Sequence, residues 1–237
     1  GIPFSTMSKQ ETVEYITDRI EANIQTHVIT ANPIMVMSAL EKPQYKEMML
    51  RSDLIVPDGS GILWAAEQGG SPIPERVTGI ELIHELMNKG EKHHWKVYLL
   101  GTSQAVIESA AKTLQLQYPQ VRIVGYRNGY FTAEQDAEVV AEIAALEPQL
   151  LFVARGAETQ EPWIVKHRKS LAVPLIMGVG GSFDVISGQL KRAPKWMQRS
   201  RLEWLFRLIQ EPTRLPRMMV IPRFMLKVMR NRDNITK

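Results

Sequence analysis

The chain has 237 residues, 44% hydrophobic and 23% charged, enough for one large domain or one domain plus an appendage. It contains no cysteine, which excludes disulfides, thiolate metal sites and thiol catalysis and fits a reducing compartment. The formal charge of +4 hides an asymmetry. From Lys191 onward, 13 basic residues stand against 3 acidic ones, a net +10, whereas residues 1–190 hold 16 basic and 22 acidic residues, a net −6. An acidic body with a basic tail points to a polyanionic partner: a phosphorylated substrate, an anionic lipid surface or nucleic acid.

The opening Gly1-Ile2-Pro3-Phe4 has no basic segment leading into an apolar one, so no secretory signal is expected. The apolar runs fall short of the roughly 20 residues a membrane-spanning helix needs. In chain order, β-rich apolar runs predict strands over 27–30, 54–57, 96–100, 122–126, 150–154 and 175–179. Segments of 3.6-residue periodicity predict helices over 8–25, 79–88, 103–118, 132–146 and 159–169. Ser103 precedes one helical run, and Thr132 with Gln135 has the spacing of a capping box. Strands alternating with helices predict a Rossmann-like layered parallel sheet of the α/β class, with ligands outside the carboxyl ends of the strands. The expected boundary lies near 190, dividing an α/β core (1–190) from a basic amphipathic helical C-terminal appendage (191–237).

Several strand ends carry polar or glycine-rich segments. Val56-Pro57-Asp58-Gly59-Ser60-Gly61 sets an acid at a strand end among glycines. Asp58 there suits a general base for a sugar hydroxyl, and equally a cap for the following helix. Thr30 and Asn32 offer short polar groups to a ligand or to a turn. Arg76 suits a phosphate or plain solvent, and Thr78 a helix cap. Gly101 opens a strand-to-helix turn whose amides could hold a diphosphate, although neither G-x-G-x-x-G nor a P-loop is present. Gly178-Val179-Gly180-Gly181 concentrates three glycines in four residues, which favours close backbone approach to a ligand, with Asp184 suited to ribose hydroxyls or the segment to a simple turn. No Asp-x-Asp, His-Glu-x-x-His or Gly-x-Ser-x-Gly motif occurs, and the five histidines lack ligand spacing. No metal and no cofactor are therefore expected.

In the tail, Leu202, Leu205, Phe206 and Ile209 share one helix face. Further on, Ile221, Phe224, Met225 and Val228 share another, opposite Arg223, Lys227 and Arg230. Two readings fit the second face: an interfacial helix on an anionic membrane, or a helix packed on its own core with a solvated basic side. Nucleic acid is disfavoured because few aromatic residues interleave with the cations.

The segments together resemble a known family. In order they are Thr30-x-Asn32-Pro33, Val56-Pro57-Asp58-Gly59-Ser60-Gly61, Pro74-Glu75-Arg76-Val77-x-Gly79 and Tyr98-Leu99-Leu100-Gly101. Gly129-Tyr130-Phe131, Gly156-Ala157-x-x-Gln160-Glu161-x-Trp163, Gly178-Val179-Gly180-Gly181-Ser182-Phe183-Asp184, Lys191-Arg192-Ala193-Pro194 and a tail motif from Leu202-Glu203-Trp204 to Arg214 follow. The chain is similar to the WecG/TagA/CpsF glycosyltransferases (family 26), most of all the teichoic acid N-acetylmannosaminyltransferases. The resemblance implies an inverting, metal-independent enzyme, peripheral on the inner face of the plasma membrane. It would move N-acetylmannosamine from a UDP-sugar donor to the 4-hydroxyl of N-acetylglucosamine on undecaprenyl diphosphate. It further implies Asp58 as base, with Thr30, Asn32, Arg76 and Gln160 lining the sugar and diphosphate pocket. Gly101, Tyr130, Gly180, Gly181 and Asp184 would lie near the nucleotide, with Arg207, Arg214 and Arg217 closing over the site to neutralise the leaving diphosphate. One departure stands out: where the family usually reads Ala-Leu-Gly-Ala-Pro-Lys-Gln, this chain has Ala154-Arg155-Gly156-Ala157-Glu158-Thr159-Gln160. That leaves open another UDP-sugar donor. The competing readings are a nucleotide-dependent oxidoreductase, disfavoured by the missing glycine fingerprint, and a non-catalytic membrane or nucleic-acid adaptor built on the arm. A homodimer is a further possibility.

Overall fold

The computed structural model describes residues 1–231 and gathers all six predicted strands into one parallel sheet. In chain order the elements begin α1 (Lys9–Glu21), β1 (Thr26–Ala31), α2 (Pro33–Glu41), α3 (Pro43–Leu50), β2 (Leu54–Pro57), α4 (Ser60–Gln68) and α5 (Gly79–His93). They continue β3 (Lys96–Gly101), α6 (Gln104–Gln117), β4 (Arg122–Arg127), α7 (Asp136–Leu146), β5 (Leu150–Ala154), α8 (Ala157–Leu171) and β6 (Leu175–Gly178). The last are α9 (Ser182–Ile186), α10 (Lys195–Arg199), α11 (Glu203–Gln210), α12 (Leu215–Met218) and α13 (Val220–Arg230).

The sheet order is β2-β1-β6-β5-β3-β4. Every residue of β1, β5 and β6 is buried because helices cover both faces, and the polar residues of β1 (Thr26, His27 and Thr30) are hydrogen-bonded there. On one face Val13, Ile16 and Ile20 of α1 meet Leu82, Ile83 and Leu86 of α5. On the other, Val139 and Ile143 of α7 and Ile164 of α8 pack on Tyr98, Leu100, Leu151 and Val153. The connections from β1 and β5 run toward β2, whereas that from β3 runs toward β4. The direction reverses between β3 and β5, which opens a crevice at their carboxyl ends beside the Gly101–Ala154 pair.

The expected helix over 8–25 stops at Glu21, and α2 and α3 fill a stretch where periodicity showed nothing. The reason is composition: α2 (Pro33-Ile-Met-Val-Met-Ser-Ala-Leu-Glu) is apolar nearly all round, so it has no polar face to create a 3.6-residue signal. Thr78 caps α5 as expected, accepting from the Glu81 N–H at 3.3 Å. Ser103 occupies the cap position of α6, but its hydroxyl makes no capping bond.

In the tail, α11 presents no fully buried residue, and Ile209 on its apolar face is 66% exposed. The apolar face foreseen for the last helix divides. Phe224 and Val228 of α13 are buried against Met37 of α2 and Ile62 and Ala65 of α4, with Ile73 beside them. For those two residues the core-packed reading holds, each burial contributing about 1.5–3 kcal/mol. Met225, with Leu226 and Met229, faces outward, as do Arg223, Lys227 and Arg230. Residues 232–237 of the proposed appendage lie outside the described residues. Among the described residues no helix is long and apolar enough to cross a membrane.

Candidate active site

The carboxyl ends of β1 and β2 lie side by side, with Ala31 paired to Pro57. The Asp58 N–H donates to the Ala31 carbonyl at 2.9 Å, which fixes the acid beside Asn32. Asn32 takes a cap role: its Oδ1 accepts from the N–H groups of Ile34 (3.0 Å) and Met35 (3.3 Å) at the start of α2. The Thr30 hydroxyl is buried and donates to the Gly178 carbonyl at 2.8 Å, tying β1 to β6.

Asp58 does not cap the helix that follows it. Gly59 occupies the cap position of α4, and Asp58 Oδ2 accepts instead from the Gly79 N–H at 3.1 Å, at the first turn of α5. Burial pushes the Asp58 carboxyl up from 3.8 to about 6. The Gly79 bond and the Arg76 charge oppose the rise, while Glu203 and Glu81 add to it. Such a group is mostly ionised at neutral pH and still basic enough to take a proton.

Arg76 is paired at 2.6 Å with Glu203, at the first turn of α11. One helical turn later, Arg207 Nη2 lies 3.4 Å from Asp184 Oδ2 and 3.4 Å from the Gly181 carbonyl, and its Nε lies 3.3 Å from Glu211. Residue 181 must be glycine for that approach, because a Cβ there would fall 2.1 Å from Arg207 Nη2. Glu211 also holds Arg214 at 2.8 Å. Thr102, a non-glycine residue with φ +49°, donates its hydroxyl to Asp184 Oδ1 at 3.2 Å. Burial raises the Asp184 carboxyl above its ordinary range, against the pull of Arg207. Helix α11 therefore bridges two charged clusters set about 6 Å apart along its axis, one around Asp58–Arg76 and one around Asp184–Arg207.

At the β3–β5 crevice, the Gly129 N–H donates to the Thr102 carbonyl at 2.9 Å, bringing the next residue, Tyr130, to the rim with 81% of its surface exposed. Gly180, with φ +52°, faces open space. Gln160 is buried, and its Oε1 accepts from the Gly180 (3.1 Å) and Arg155 (3.3 Å) N–H groups. Arg217 is exposed on α12, where its charge acts on Glu158 of α8 rather than on the Asp184 cluster. The Arg155 guanidinium stacks 4.2 Å from the centre of the Phe131 ring. Among the described residues, no group of three or more His, Asp or Glu side chains is arranged to hold a metal ion.

The fold thus joins the expected Asp58 to Arg76, and Asp184 to Gly181, Arg207 and Arg214. Glu203 and Thr102 enter as site residues that sequence reasoning did not single out. Glu203 stood in a quoted motif, but its partner lies 127 residues away and no local pattern joins them.

A parallel α/β sheet with a strand-end carboxylate, a cluster of arginines and a crevice at the reversal of strand order has the form of an α/β enzyme's ligand site. The whole chain, residues 1–237, matches the family described as "Glycosyl transferase WecG/TagA/CpsF family", and the protein belongs to that family. It is 33% identical over 236 residues to the Bacillus subtilis strain 168 protein named N-acetylglucosaminyldiphosphoundecaprenol N-acetyl-beta-D-mannosaminyltransferase, covering 99% of this chain and 91% of that one. It is 34% identical over 240 residues to the protein of that name from Staphylococcus aureus strain MW2, covering 100% and 93%. A Bacillus spizizenii protein, again of that name, is 34% identical over 215 residues, covering 91% and 83%.

Proposed function

We propose that the protein transfers N-acetylmannosamine from UDP-N-acetylmannosamine to the 4-hydroxyl of N-acetylglucosamine carried on undecaprenyl diphosphate, with inversion to a β1,4 linkage and without a metal ion. The observation that carries the reading is Asp58: a carboxylate at a strand end, raised to about 6 by burial and acted on by the charges of the Arg76–Glu203 pair that joins the loop to α11. Asp58 takes the proton of the acceptor hydroxyl as its oxygen forms the new bond to the anomeric carbon. The bond from that carbon to the donor diphosphate breaks, and UDP leaves with the electron pair. Arg76, Arg207 and Arg214 bear the growing negative charge by charge-assisted hydrogen bonds. For this, Glu203 must yield Arg76 to the diphosphate.

The arm serves two purposes in this reading. Its α11 side closes the site, and its outward side rests on the inner face of the plasma membrane, where the lipid-linked acceptor resides. Supporting this is a groove lined by Met37 with Arg223, Leu226, Lys227 and Arg230, which sets cations beside apolar side chains. Arg155 favours the alternative of a different UDP-sugar: a cation stacked on Phe131 adds positive charge to the crevice rim.

The test is UDP release with a short lipid-diphosphate N-acetylglucosamine acceptor against a panel of UDP-sugars, with and without EDTA. Transfer from UDP-N-acetylmannosamine that persists in EDTA and depends on acceptor is expected. A metal requirement, or preference for another donor, would refute that part of the reading.

A further inference from the structure

Beneath the glycine loop lies a polar chain that the proposed reaction leaves unused. His27 Nε2 and Glu161 Oε2 are 2.8 Å apart, and both side chains are 0% exposed. Glu161 Oε1 accepts from Gln160 Nε2 at 2.6 Å, and Gln160 Oε1 accepts in turn from the Gly180 N–H at 3.1 Å. The chain thus runs from β1 through α8 to the loop after β6. The backbone makes room for it, because a Cβ at residue 178 would fall 2.1 Å from Glu161 Oε1 and 2.2 Å from Gln160 Nε2.

Packing alone does not explain this arrangement. Apolar residues of similar size would serve a sheet–helix interface as well or better than a buried ionisable pair. The pair also leaves His27 Nδ1 buried without a partner, a cost that needs a return elsewhere. What the chain supplies is orientation. A carboxylate at 161 can only accept, so Gln160 must turn its NH2 toward Glu161 and its oxygen toward Gly180 and Arg155. His27 holds the other carboxylate oxygen and keeps Glu161 in place.

We infer that His27 and Glu161 are positioning residues for the nucleotide end of the site, acting through Gln160 to hold the Gly180 loop in its ligand-ready shape. The inference rests on the nucleotide-sugar reading above, and it concerns binding of the donor rather than the bond-making step.

The experiment uses the full chain and UDP as probe, measured by titration calorimetry, together with steady-state kinetics and thermal melting. Glu161→Met removes both acceptor oxygens at similar volume, so the Gln160 NH2 loses its partner, Gln160 turns or swings and Gly180 loses its acceptor. Gln at 161 would not do this, because its NH2 can donate to the other tautomer of His27. The expected result is a rise of about tenfold in both the UDP Kd and the donor KM, with kcat within about twofold. His27→Leu should reproduce that rise, whereas His27→Gln, which keeps an N–H toward Glu161, should restore UDP affinity to within about twofold of wild type. An unchanged UDP Kd in Glu161→Met, whatever happens to the melting temperature, would overturn the inference, as would a fall confined to kcat. If either Glu161→Met or His27→Leu does not fold, the double variant His27→Leu/Glu161→Met, which leaves no buried ionisable group of the pair unpartnered, takes its place and should show the same rise in UDP Kd. A wild-type protein that binds UDP but transfers no sugar would sink the reaction proposed above and leave this inference to stand on the affinities.

Discussion

Replacing Asp58 with Asn should make the protein more stable and nearly inactive at the same time. Asn preserves the shape and still offers an oxygen to the Gly79 N–H, now 3.1 Å from Asp58 Oδ2, so the local geometry survives. What disappears is the cost of an ionised carboxylate in a buried setting, visible as a rise from 3.8 to about 6. Two units correspond to roughly 3 kcal/mol, and because the residue keeps some contact with solvent we expect about 2 kcal/mol. The folded state binds the Asp58 proton more tightly than the unfolded state, so wild-type stability falls as pH rises from about 4 to about 6 and then levels off. Asn does not titrate, so the advantage of the variant should be small near pH 4 and complete by about pH 7. For a chain of this length, about 2 kcal/mol is a gain of about 4–8 °C in Tm at pH 7.5, measurable by calorimetry. Turnover should fall about 100- to 10,000-fold with loss of the base. A variant that melts at or below the wild type at pH 7.5, or that keeps more than a tenth of the activity, would refute the reasoning.

Glu203→Gln removes a negative charge that raises Asp58 and releases Arg76, so the acid limb of kcat/KM should move below pH 6; a pH profile that does not move would contradict the assignment. Gly181→Ala places a methyl 2.1 Å from Arg207 Nη2 while the backbone (φ −89°) suits alanine, so kcat/KM should drop about tenfold or more with little change in Tm. Replacing Arg223, Lys227 and Arg230 together with Gln should weaken binding to phosphatidylglycerol vesicles about 100-fold at low salt, read by co-sedimentation, and leave turnover of a water-soluble acceptor unchanged. Equal vesicle binding by that triple variant would remove the membrane reading of the outer face of α13.

The layered parallel sheet was legible in the residues because six short β-rich apolar runs, separated by amphipathic segments, have few other ways to be buried. So was Asp58 as an acid at a strand end, and the charge reversal near residue 190. Helix α2 was not legible, since periodicity needs a polar face that its apolar composition lacks. The side on which each residue of α13 would lie was also out of reach: a moment identifies an apolar face, and only the packing of Phe224 and Val228 on α2 and α4 shows what covers it. The site partners lay further from view. Asp58 finds Gly79, Arg76 finds Glu203 and His27 finds Glu161 across 21, 127 and 134 residues. Sequence records the chemical type of each group and its local spacing. Which carboxylate meets which cation, and how far burial shifts its proton affinity, depends on the sheet order and on where α11 crosses it, because electrostatics acts through space and not along the chain.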